Sequence, residues 1–269
     1  MKILILGGTS DARKIAEELL AQPVDIIYSI AGLVSKPNLA CAVISGGFRQ
    51  YQERSTQPGF ENYVLRHGID AVLDATHPYA LKMTEQAQLS CERLGMKYWR
   101  FDRPAWQVHA QDTWLIVSQW SQLITACAAF DKPLLTTGQI SQQSLDLIAD
   151  NSRQVVYRTA ASAHAKLAEN VQWLKARGPF DYATELALFE QFQPDVLVSK
   201  NAGGDSTYAK LLVARALKIP VIMLDRPQGD SKAPDQKIKD KLLAASFSNR
   251  PALVQAIVHW SQKTKTREA

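Results

Sequence analysis

The sequence has few cysteines and few histidines, and neither type is spaced as a disulfide or metal site. The three cysteines, Cys41, Cys91 and Cys127, are odd in number and never form a CxxC pair, so neither a disulfide framework nor a zinc site is indicated. The five histidines show no HxxxH or HExxH spacing, the pattern that places two imidazoles on one helical face. We therefore expect no metal, and we expect the cysteines to be small buried hydrophobic residues in a reducing compartment.

Long apolar runs are also missing. No stretch of about 18 apolar residues occurs, so neither a membrane-spanning helix nor a membrane partner is predicted. The chain opens directly on the strand-like pattern MKILILGG, without a signal-peptide cleavage site. A cytoplasmic location is expected on that basis.

Charge of one sign is in only slight excess. The formal net charge is +5, and the residues after Gln111 hold 19 Lys and Arg against 15 Asp and Glu. This surplus is too diffuse for a DNA-binding face, where basic residues cluster along one element, so no nucleic-acid partner is predicted. An anionic small molecule bound by the second half would suit the balance equally well, although part of the surplus lies in the basic C-terminal tail.

What the sequence does contain is a regular alternation of strand and helix patterns. Residues 3–6 form a continuous apolar run, as expected of a strand buried on both faces. Residues 11–20 place their apolar side chains on one helical face, which predicts an amphipathic helix. Repeated strand–helix–strand units of this kind imply parallel sheets with right-handed crossovers.

The length of 269 residues fits two domains, and the alternation restarts after a polar stretch at 103–112. We therefore predict an α/β fold of two Rossmann-like or flavodoxin-like parallel-sheet domains, 1–106 and 107–269, with a cleft between them. The second domain is predicted to end in a helix at 250–262, and the polar stretch before that helix is left without an assignment.

In open parallel sheets, ligands bind at the carboxyl ends of the strands. The first strand is followed by Gly7, Gly8, Thr9 and Ser10 at the start of a helix. Glycines let the backbone approach a pyrophosphate, and a helix N-terminus offers free N–H groups and positive potential. The turn therefore indicates a dinucleotide site, although it is not a full GxGxxG motif. The alternative is a tight strand–helix turn in which Thr9 or Ser10 is the N-cap.

The end of the second strand bears on the choice of cofactor. A carboxylate at this position would hold the ribose 2′-hydroxyl of NAD, but the segment from Ser29 through Ala31 and Gly32 to Lys36 has none. Hydroxyls and Lys36 would suit a 2′-phosphate, so the sequence favours NADP. The alternative is that Lys36 is an ordinary solvated loop lysine.

Two further segments follow strands. Gly46, Gly47 and Phe48 come after the third strand, and Thr76-His77-Pro78-Tyr79 follows Asp74 at the end of the fourth. The second segment brings a hydroxyl and an imidazole to a strand end, with proline at the start of the next helix. We interpret it as functional.

Taken in order, these segments resemble the precorrin-6A reductases, the NADPH-dependent enzymes of corrin biosynthesis, in their metal-free or cobalt-containing form. The matching motifs run almost end to end: ILILGGTSDAR, SIAG, SGGF, AVLDATHPYA, RFDRPAW, LLTTGQ, KARGPF, VSKNAGG followed by a helix with Lys210, and PVIMLDRP.

The resemblance implies hydride transfer from NADPH to one double bond of precorrin-6A, a polycarboxylate tetrapyrrole, to give precorrin-6B. The first domain would bind NADP and the second the substrate. The cofactor contacts implied are Gly7, Gly8, Thr9, Ser10, Ser29, Ala31, Gly32, Lys36, Gly46, Gly47, Phe48, Thr76, His77, Pro78 and Tyr79. The substrate contacts implied by the resemblance are Thr137, Gly138, Lys200, Asn201, Gly203 and Gly204.

Arg103 and Arg177 are added to the substrate contacts on chemical grounds, because guanidinium groups hold carboxylates in a bidentate manner. The catalytic residues are left unassigned. His77 and Tyr79 are the candidates to lie near the nicotinamide, without a proton-transfer role given to either.

The sequence departs from the family pattern in two places. The family has AGR after the second strand where Leu33 stands here, and its GGFGG run is broken by Arg49 and Gln50. Arg49 and Lys36 are the candidates for the missing charge at the 2′-phosphate.

Two other functions compete with this interpretation. A short-chain dehydrogenase would have a tyrosine with lysine four positions later, and none of the eight tyrosines has one. A non-catalytic two-domain binder of an anionic small molecule stays open. A monomer or weak homo-oligomer is expected.

Overall fold

A computed structural model describes residues 1–31, 37–52, 58–227 and 244–268. The chain forms two compact units. The first comprises residues 1–104 together with the C-terminal part of the chain, and the second comprises residues 105–227.

The first unit is built on a six-stranded parallel sheet. Its strands are β1 (Lys2–Leu6), β2 (Asp25–Ile30), β3 (Ala42–Ser45), β4 (Ala71–Asp74), β5 (Lys97–Phe101) and β12 (Ala244–Phe247). Their order is β12-β5-β4-β1-β2-β3, and every neighbouring pair is parallel. This is the doubly wound order of dinucleotide-binding folds. Successive strands are added on one side of β1 up to β3 and then on its other side from β4 onward, so the strand order switches between β1 and β4.

Strand β1 shows why the sheet forms. Ile3 and Ile5 belong to one apolar cluster, and Leu4 and Leu6 belong to another on the opposite face. Because successive side chains of a strand alternate between faces, an unbroken apolar run is buried only when helices cover both sides. The helices of this unit are α1 (Ser10–Leu20), α2 (Gly59–Arg66), α3 (Leu81–Arg93) and α8 (Arg250–Glu268), with a short 3₁₀ helix at Phe48–Tyr51.

The C-terminal segment belongs to the first unit, so the prediction that residues 107–269 form one domain is wrong in this respect. Strand β12 pairs with β5 in parallel, and the backbone N–H of Asp102 donates to the carbonyl of Phe247 (2.8 Å). The Trp260 ring of α8 packs edge-on against Trp99 of β5, with centroids 5.1 Å apart. The edge of β5 needs a hydrogen-bonding partner and its apolar face needs a cover, and the last residues supply both.

The second unit is also a six-stranded parallel sheet. Its strands are β6 (Trp114–Val117), β7 (Pro133–Leu135), β8 (Val155–Thr159), β9 (Val171–Lys175), β10 (Val196–Lys200) and β11 (Val221–Leu224). Their order is β6-β11-β10-β7-β8-β9. Its helices are α4 (Trp120–Cys127), α5 (Gln142–Asp150), α6 (Tyr182–Phe192) and α7 (Ala209–Ala216). The predicted α/β class with two parallel-sheet domains is confirmed.

Each sheet has a topological switch point, where the strand order reverses: between β1 and β4 in the first unit and between β7 and β10 in the second. Such points leave a crevice at the carboxyl ends of the strands. We therefore expect a ligand-binding site among the loops that follow these four strands. Among the described residues, no helix is long and apolar enough to cross a membrane.

Candidate functional site

The turn after β1 is held in place by Tyr28 of β2. A Cβ atom on Gly7 would lie 2.2 Å from Cζ of Tyr28, so only glycine fits beneath that ring. The Gly7 N–H donates to the carbonyl of Ser29 (2.8 Å), and the Gly8 N–H donates to the Tyr28 hydroxyl (3.1 Å). Gly7 is therefore required by packing, and these hydrogen bonds fix the shape of the turn.

Gly8 differs from Gly7. Its φ is +102°, and a Cβ atom there would meet no described atom within 4 Å, so its outer side is open. Thr9 caps α1, because its Oγ1 accepts from the Ala12 N–H (3.0 Å) while donating to the carbonyl of Ala75 (2.9 Å). The capping alternative thus describes Thr9 correctly, and the turn still presents an open glycine beside the first residues of α1, beginning at Ser10.

The loop after β4 is anchored by a buried carboxylate. Oδ1 of Asp74 accepts from the Thr76 N–H (2.9 Å), from the Thr76 hydroxyl (2.7 Å) and from the Arg100 guanidinium (2.6 Å). Oδ2 accepts from the Tyr98 hydroxyl (3.0 Å), and burial beside Asp74 raises the pKa of Tyr98 far above its usual range. Asp74 is thus saturated with donors and fixes the backbone that carries the next three residues.

His77 and Tyr79 lie together in that loop. Both are half-buried, their ring centroids are 5.5 Å apart, and Nδ1 of His77 accepts from the Tyr79 N–H at 3.3 Å. Pro78 between them is buried. The structure therefore places both catalytic candidates at the carboxyl edge of the first sheet, next to the turn after β1.

The ends of β2 and β3 complete this edge. Ser29 is buried and Ala31 is exposed, whereas Gly32, Leu33 and Lys36 lie outside the described residues. Gly46 has a φ of +96°.

After β3, Gly47 and Arg49 are exposed. The Phe48 ring packs edge-on against Phe60, with centroids 4.9 Å apart. Because that ring is part of the core, only the backbone of Phe48 is available for a cofactor contact.

Arg103 has a partner that the sequence did not indicate. Its guanidinium contacts Oδ2 of Asp11, in the first turn of α1, at 2.7 Å, and the two side chains are only 10% and 19% exposed. The residue that we assigned to substrate therefore lies beside the turn after β1 of the first unit.

In the second unit, the loops after β7 and β10 lie side by side because those strands are neighbours. The Thr136 hydroxyl donates to the carbonyl of Val198 (2.9 Å) and ties the two strand ends together. Thr137 is 4% exposed, and its Oγ1 has no hydrogen-bond partner among the described residues. Gly138 has a φ of +78° and open space where a side chain would be. A buried hydroxyl without a partner beside an open glycine is the kind of group that a ligand completes.

Asn201, after β10, has a structural task. Its Oδ1 accepts from the Trp106 N–H (2.9 Å) and its Nδ2 donates to the Trp106 carbonyl (3.2 Å). The Trp106 indole N–H in turn donates to the carbonyl of Gly204 (2.9 Å). The Gly203-Gly204 pair has positive φ at both residues. These contacts set the shape of the loop, so the side chain of Asn201 is committed to the fold.

Two more predicted substrate residues lie on this side of the second sheet. The Lys200 ammonium is 5.6 Å from the centroid of the Trp120 ring, and burial lowers the pKa of Lys200. Arg177 is exposed and follows the edge strand β9. The segment after it reaches the β10 loop through a hydrogen bond from the Phe180 N–H to the Ser206 carbonyl (3.0 Å).

Comparison with known proteins gives the family. A family model described as "Precorrin-6x reductase CbiJ/CobK" matches residues 2–245. The chain belongs to this family. It is 35% identical over 229 residues to a precorrin-6A reductase of Rhodococcus erythropolis (84% of this chain, 89% of the relative). It is 28% identical over 244 residues to a cobalt-precorrin-6A reductase of Priestia megaterium (84% and 91%). A solved structure of "CobK precorrin-6A reductase" superposes with a TM-score of 0.74 at 29% identity, covering 84% of this chain and 88% of that one.

The resemblance seen in the sequence motifs is therefore confirmed at the level of the precorrin-6x reductase family. The matched region includes every described strand up to the first residues of β12. Helix α8 begins beyond it, at Arg250.

One further residue of the second unit stands out and was not assigned a role from the sequence. Lys210 on α7 is 4% exposed, and its ammonium donates to the Thr136 hydroxyl at 2.9 Å. Burial, followed by repulsion from Arg158, lowers the pKa of Lys210 to about 7, against the opposing attraction of Glu185. Arg158 and Glu185 form a buried ion pair at 2.9 Å.

The available signal for Lys210 was a charged residue at the start of the mostly apolar helix AKLLVARA, which also contains Arg215. A lysine alone, however, does not indicate whether a helix position is buried or exposed, because its long stem can carry the ammonium to solvent.

Proposed function

We propose that this chain catalyses the NADPH-dependent reduction of one double bond of precorrin-6A, or of its cobalt form, in cobalamin biosynthesis. The observation that carries the proposal is the pairing of family membership with a first sheet in the dinucleotide-binding order. The glycine turn of that sheet lies at the point where such folds bind a pyrophosphate.

The first unit fits a dinucleotide. Gly8 leaves its outer side open, and the N-terminal end of α1 offers the N–H groups and positive potential that favour phosphate. Thr76, His77, Pro78 and Tyr79 would line the nicotinamide side on the neighbouring strand end. Exposed Arg49, and Lys36 outside the described residues, are the candidates for the 2′-phosphate.

When bound, NADPH supplies the hydride, so the chain has to bind, orient and exclude water. The buried Asp74 network anchors Thr76, from which the His77–Tyr79 loop starts, and this favours a fixed ligand geometry. In the second unit, Thr137, Gly138, Lys200, Gly203 and Gly204 would face a polycarboxylate tetrapyrrole, with Arg177 at the margin. Lys200 and Arg177 supply positive charge for its carboxylates.

The deciding experiment follows the loss of nicotinamide absorbance when purified protein is given NADPH together with precorrin-6A or cobalt-precorrin-6A. Turnover with either substrate supports the proposal, and the ratio of the two kcat/KM values identifies the natural form. A protein that binds both ligands without oxidising NADPH would instead be the non-catalytic binder. A cytoplasmic location and a monomer or weak homo-oligomer stay predictions.

Gly8→Ala tests the cofactor site. We expect the NADPH Kd to rise at least about tenfold, because a methyl group would occupy the side from which the backbone approaches a pyrophosphate. The matched control is Gly68→Ala, which also carries positive φ (+59°) and open space. Both variants should lose stability, Gly8→Ala more than Gly68→Ala, because a φ of +102° lies outside the left-handed region open to L-residues. The Kd is therefore measured where both variants are folded, and a selective loss of binding identifies the site. Equal NADPH affinity in the two variants would place the pyrophosphate elsewhere.

The pair Arg49→Ala and Lys36→Ala tests selectivity for the 2′-phosphate. Removing the residue that pairs with this group should raise the Kd of NADPH by about tenfold or more, while the Kd of NADH is unchanged. Isothermal titration with both cofactors gives the comparison. A loss of equal size for both cofactors would exclude a specific 2′-phosphate contact.

A further inference from the structure

Arg103 and Asp11 form an ion pair whose place in the fold suggests a role different from substrate binding. We propose that Arg103 neutralises Asp11, so that the pyrophosphate of a dinucleotide can occupy the N-terminal end of α1 without like-charge repulsion. This inference rests on the proposed function. It assigns Arg103 to the cofactor side of the reaction.

The ion pair between Arg103 and Asp11 lies close to the proposed pyrophosphate site. Arg103 follows β5, two strands away from β1 in the sheet, yet its guanidinium contacts Oδ2 of Asp11 in the first turn of α1 at 2.7 Å. Asp11 lies three residues after Gly8 and two after the cap Thr9. The ion pair is therefore beside the turn that would receive the pyrophosphate.

The carboxylate of Asp11 and a pyrophosphate would compete for the same end of α1. An acidic side chain in the first turn of a helix is favourable by itself, because it faces the positive end of the helix dipole. A pyrophosphate seeks the same position for the same reason, so an unpaired Asp11 would repel it. Because the two side chains are largely withdrawn from water, that repulsion would be only weakly screened by solvent and salt.

Hydrogen bonds hold the turn after β1 and the start of α1 in place. Gly8 is fixed by the Tyr28 hydroxyl, and Thr9 is fixed by Ala75 and Ala12. Asp11, held on the helix that Thr9 caps, has little freedom to move away from an incoming phosphate. Pairing with Arg103 therefore removes the repulsion without moving the turn.

The test is a double-mutant cycle read out as dinucleotide affinity. Four proteins are compared: wild type, Arg103→Gln, Asp11→Asn and the double variant. Arg103→Gln keeps a donor for Asp11 but removes the charge, and we expect it to raise the NADPH Kd about 10- to 100-fold, as one like charge a few ångströms from an anion does. Asp11→Asn should bind as well as wild type or better, and the double variant should return to within about threefold of wild type.

Adenosine 2′-monophosphate provides the ligand control, since it lacks the pyrophosphate. Its Kd should be the same for all four proteins. Urea unfolding of each variant checks that the fold is retained, and Arg103→Lys, which keeps the charge, should restore most of the NADPH affinity if Arg103→Gln proves unstable.

Two outcomes would overturn the inference. If the double variant binds NADPH as weakly as Arg103→Gln, the charge of Asp11 is not what Arg103 offsets. If Arg103→Gln binds NADPH normally and raises the KM for precorrin-6A, Arg103 serves the substrate. A wild-type protein that binds no NADPH would count against the proposed function instead, so the two failures are distinguishable.

Discussion

Replacing Asp74 with alanine is expected to destabilise the protein by about 3–5 kcal/mol, the usual cost of removing one partner of a buried ion pair. Asp74 is fully buried and accepts from Thr76, Tyr98 and Arg100. Without it, the largely buried guanidinium of Arg100 would lose its counter-charge and keep a hydrogen bond to the Thr76 hydroxyl (3.0 Å). The Tyr98 hydroxyl would lose its acceptor as well.

The same substitution should weaken cofactor binding, because the loop that carries His77 and Tyr79 starts from the Asp74–Thr76 contacts. Urea unfolding gives the stability change, and NADPH titration below the unfolding transition gives the Kd. The control is Asp70→Ala, four residues upstream. Asp70 is exposed and accepts from the Lys2 backbone N–H, so its removal should cost about 1 kcal/mol or less. Similar stability losses for Asp70→Ala and Asp74→Ala would contradict the role given to the buried network.

Replacing Glu185 with glutamine is the second change with a large expected effect, again about 3–5 kcal/mol. Glu185 is fully buried, pairs with Arg158, and is the negative charge that opposes the lowering of the Lys210 pKa. Its removal takes away the carboxylate that pairs with the buried Arg158 and offsets the charge of the buried Lys210. We therefore expect the pKa of Lys210 to fall below about 7 and the unfolding midpoint in urea to drop.

Lys210→Met supplies the matched test, because methionine keeps the length of the side chain without its charge. Removing a buried charge should stabilise the wild-type background by about 1–4 kcal/mol near pH 7 and should rescue part of the Glu185→Gln loss. The effect depends on pH in a definite direction. Below pH 7 the folded and unfolded states both hold the Lys210 proton, so the full cost of the buried ammonium is present. Between about 7 and 10.4, only the unfolded state keeps it, and stability rises with pH.

The advantage of Lys210→Met over wild type should therefore shrink as the pH is raised through that window. Paired urea titrations at several pH values measure it. A constant difference between the two proteins would mean that Lys210 does not titrate there. Because Lys210 costs stability where it stands, and because it is tied to the β7 loop beside Thr137, we expect Lys210→Met to raise the KM for precorrin-6A.

How far the sequence predicts this structure differs between strands and side chains. The apolar run at residues 3–6 indicated a strand buried on both faces, and β1 is one. The glycines after it marked the turn, since positive φ at Gly8 needs glycine. These features are local, so periodicity and turn chemistry are enough to find them.

The features that the sequence did not indicate depend on partners far along the chain. Strand β12 reads AASF, too short and too mixed to be recognised before the free edge of β5 is known. Arg103 meets Asp11 across 92 residues, and Asn201 meets Trp106 across 95. From sequence alone, such an arginine or asparagine is predicted to contact a ligand. Its residue type is the same whether it contacts a substrate or another part of the chain.

The return of the chain to the first sheet has a consequence for synthesis on the ribosome. Strand β5 emerges early, but β12 and α8, which pair with its edge and cover Trp99, emerge only after the whole second unit. At about 5–20 residues per second, the nascent chain carries this open edge for roughly ten seconds or longer. During that interval the N-terminal part exposes unpaired strand groups to other nascent chains, and its sheet is completed only after the whole second unit has been translated.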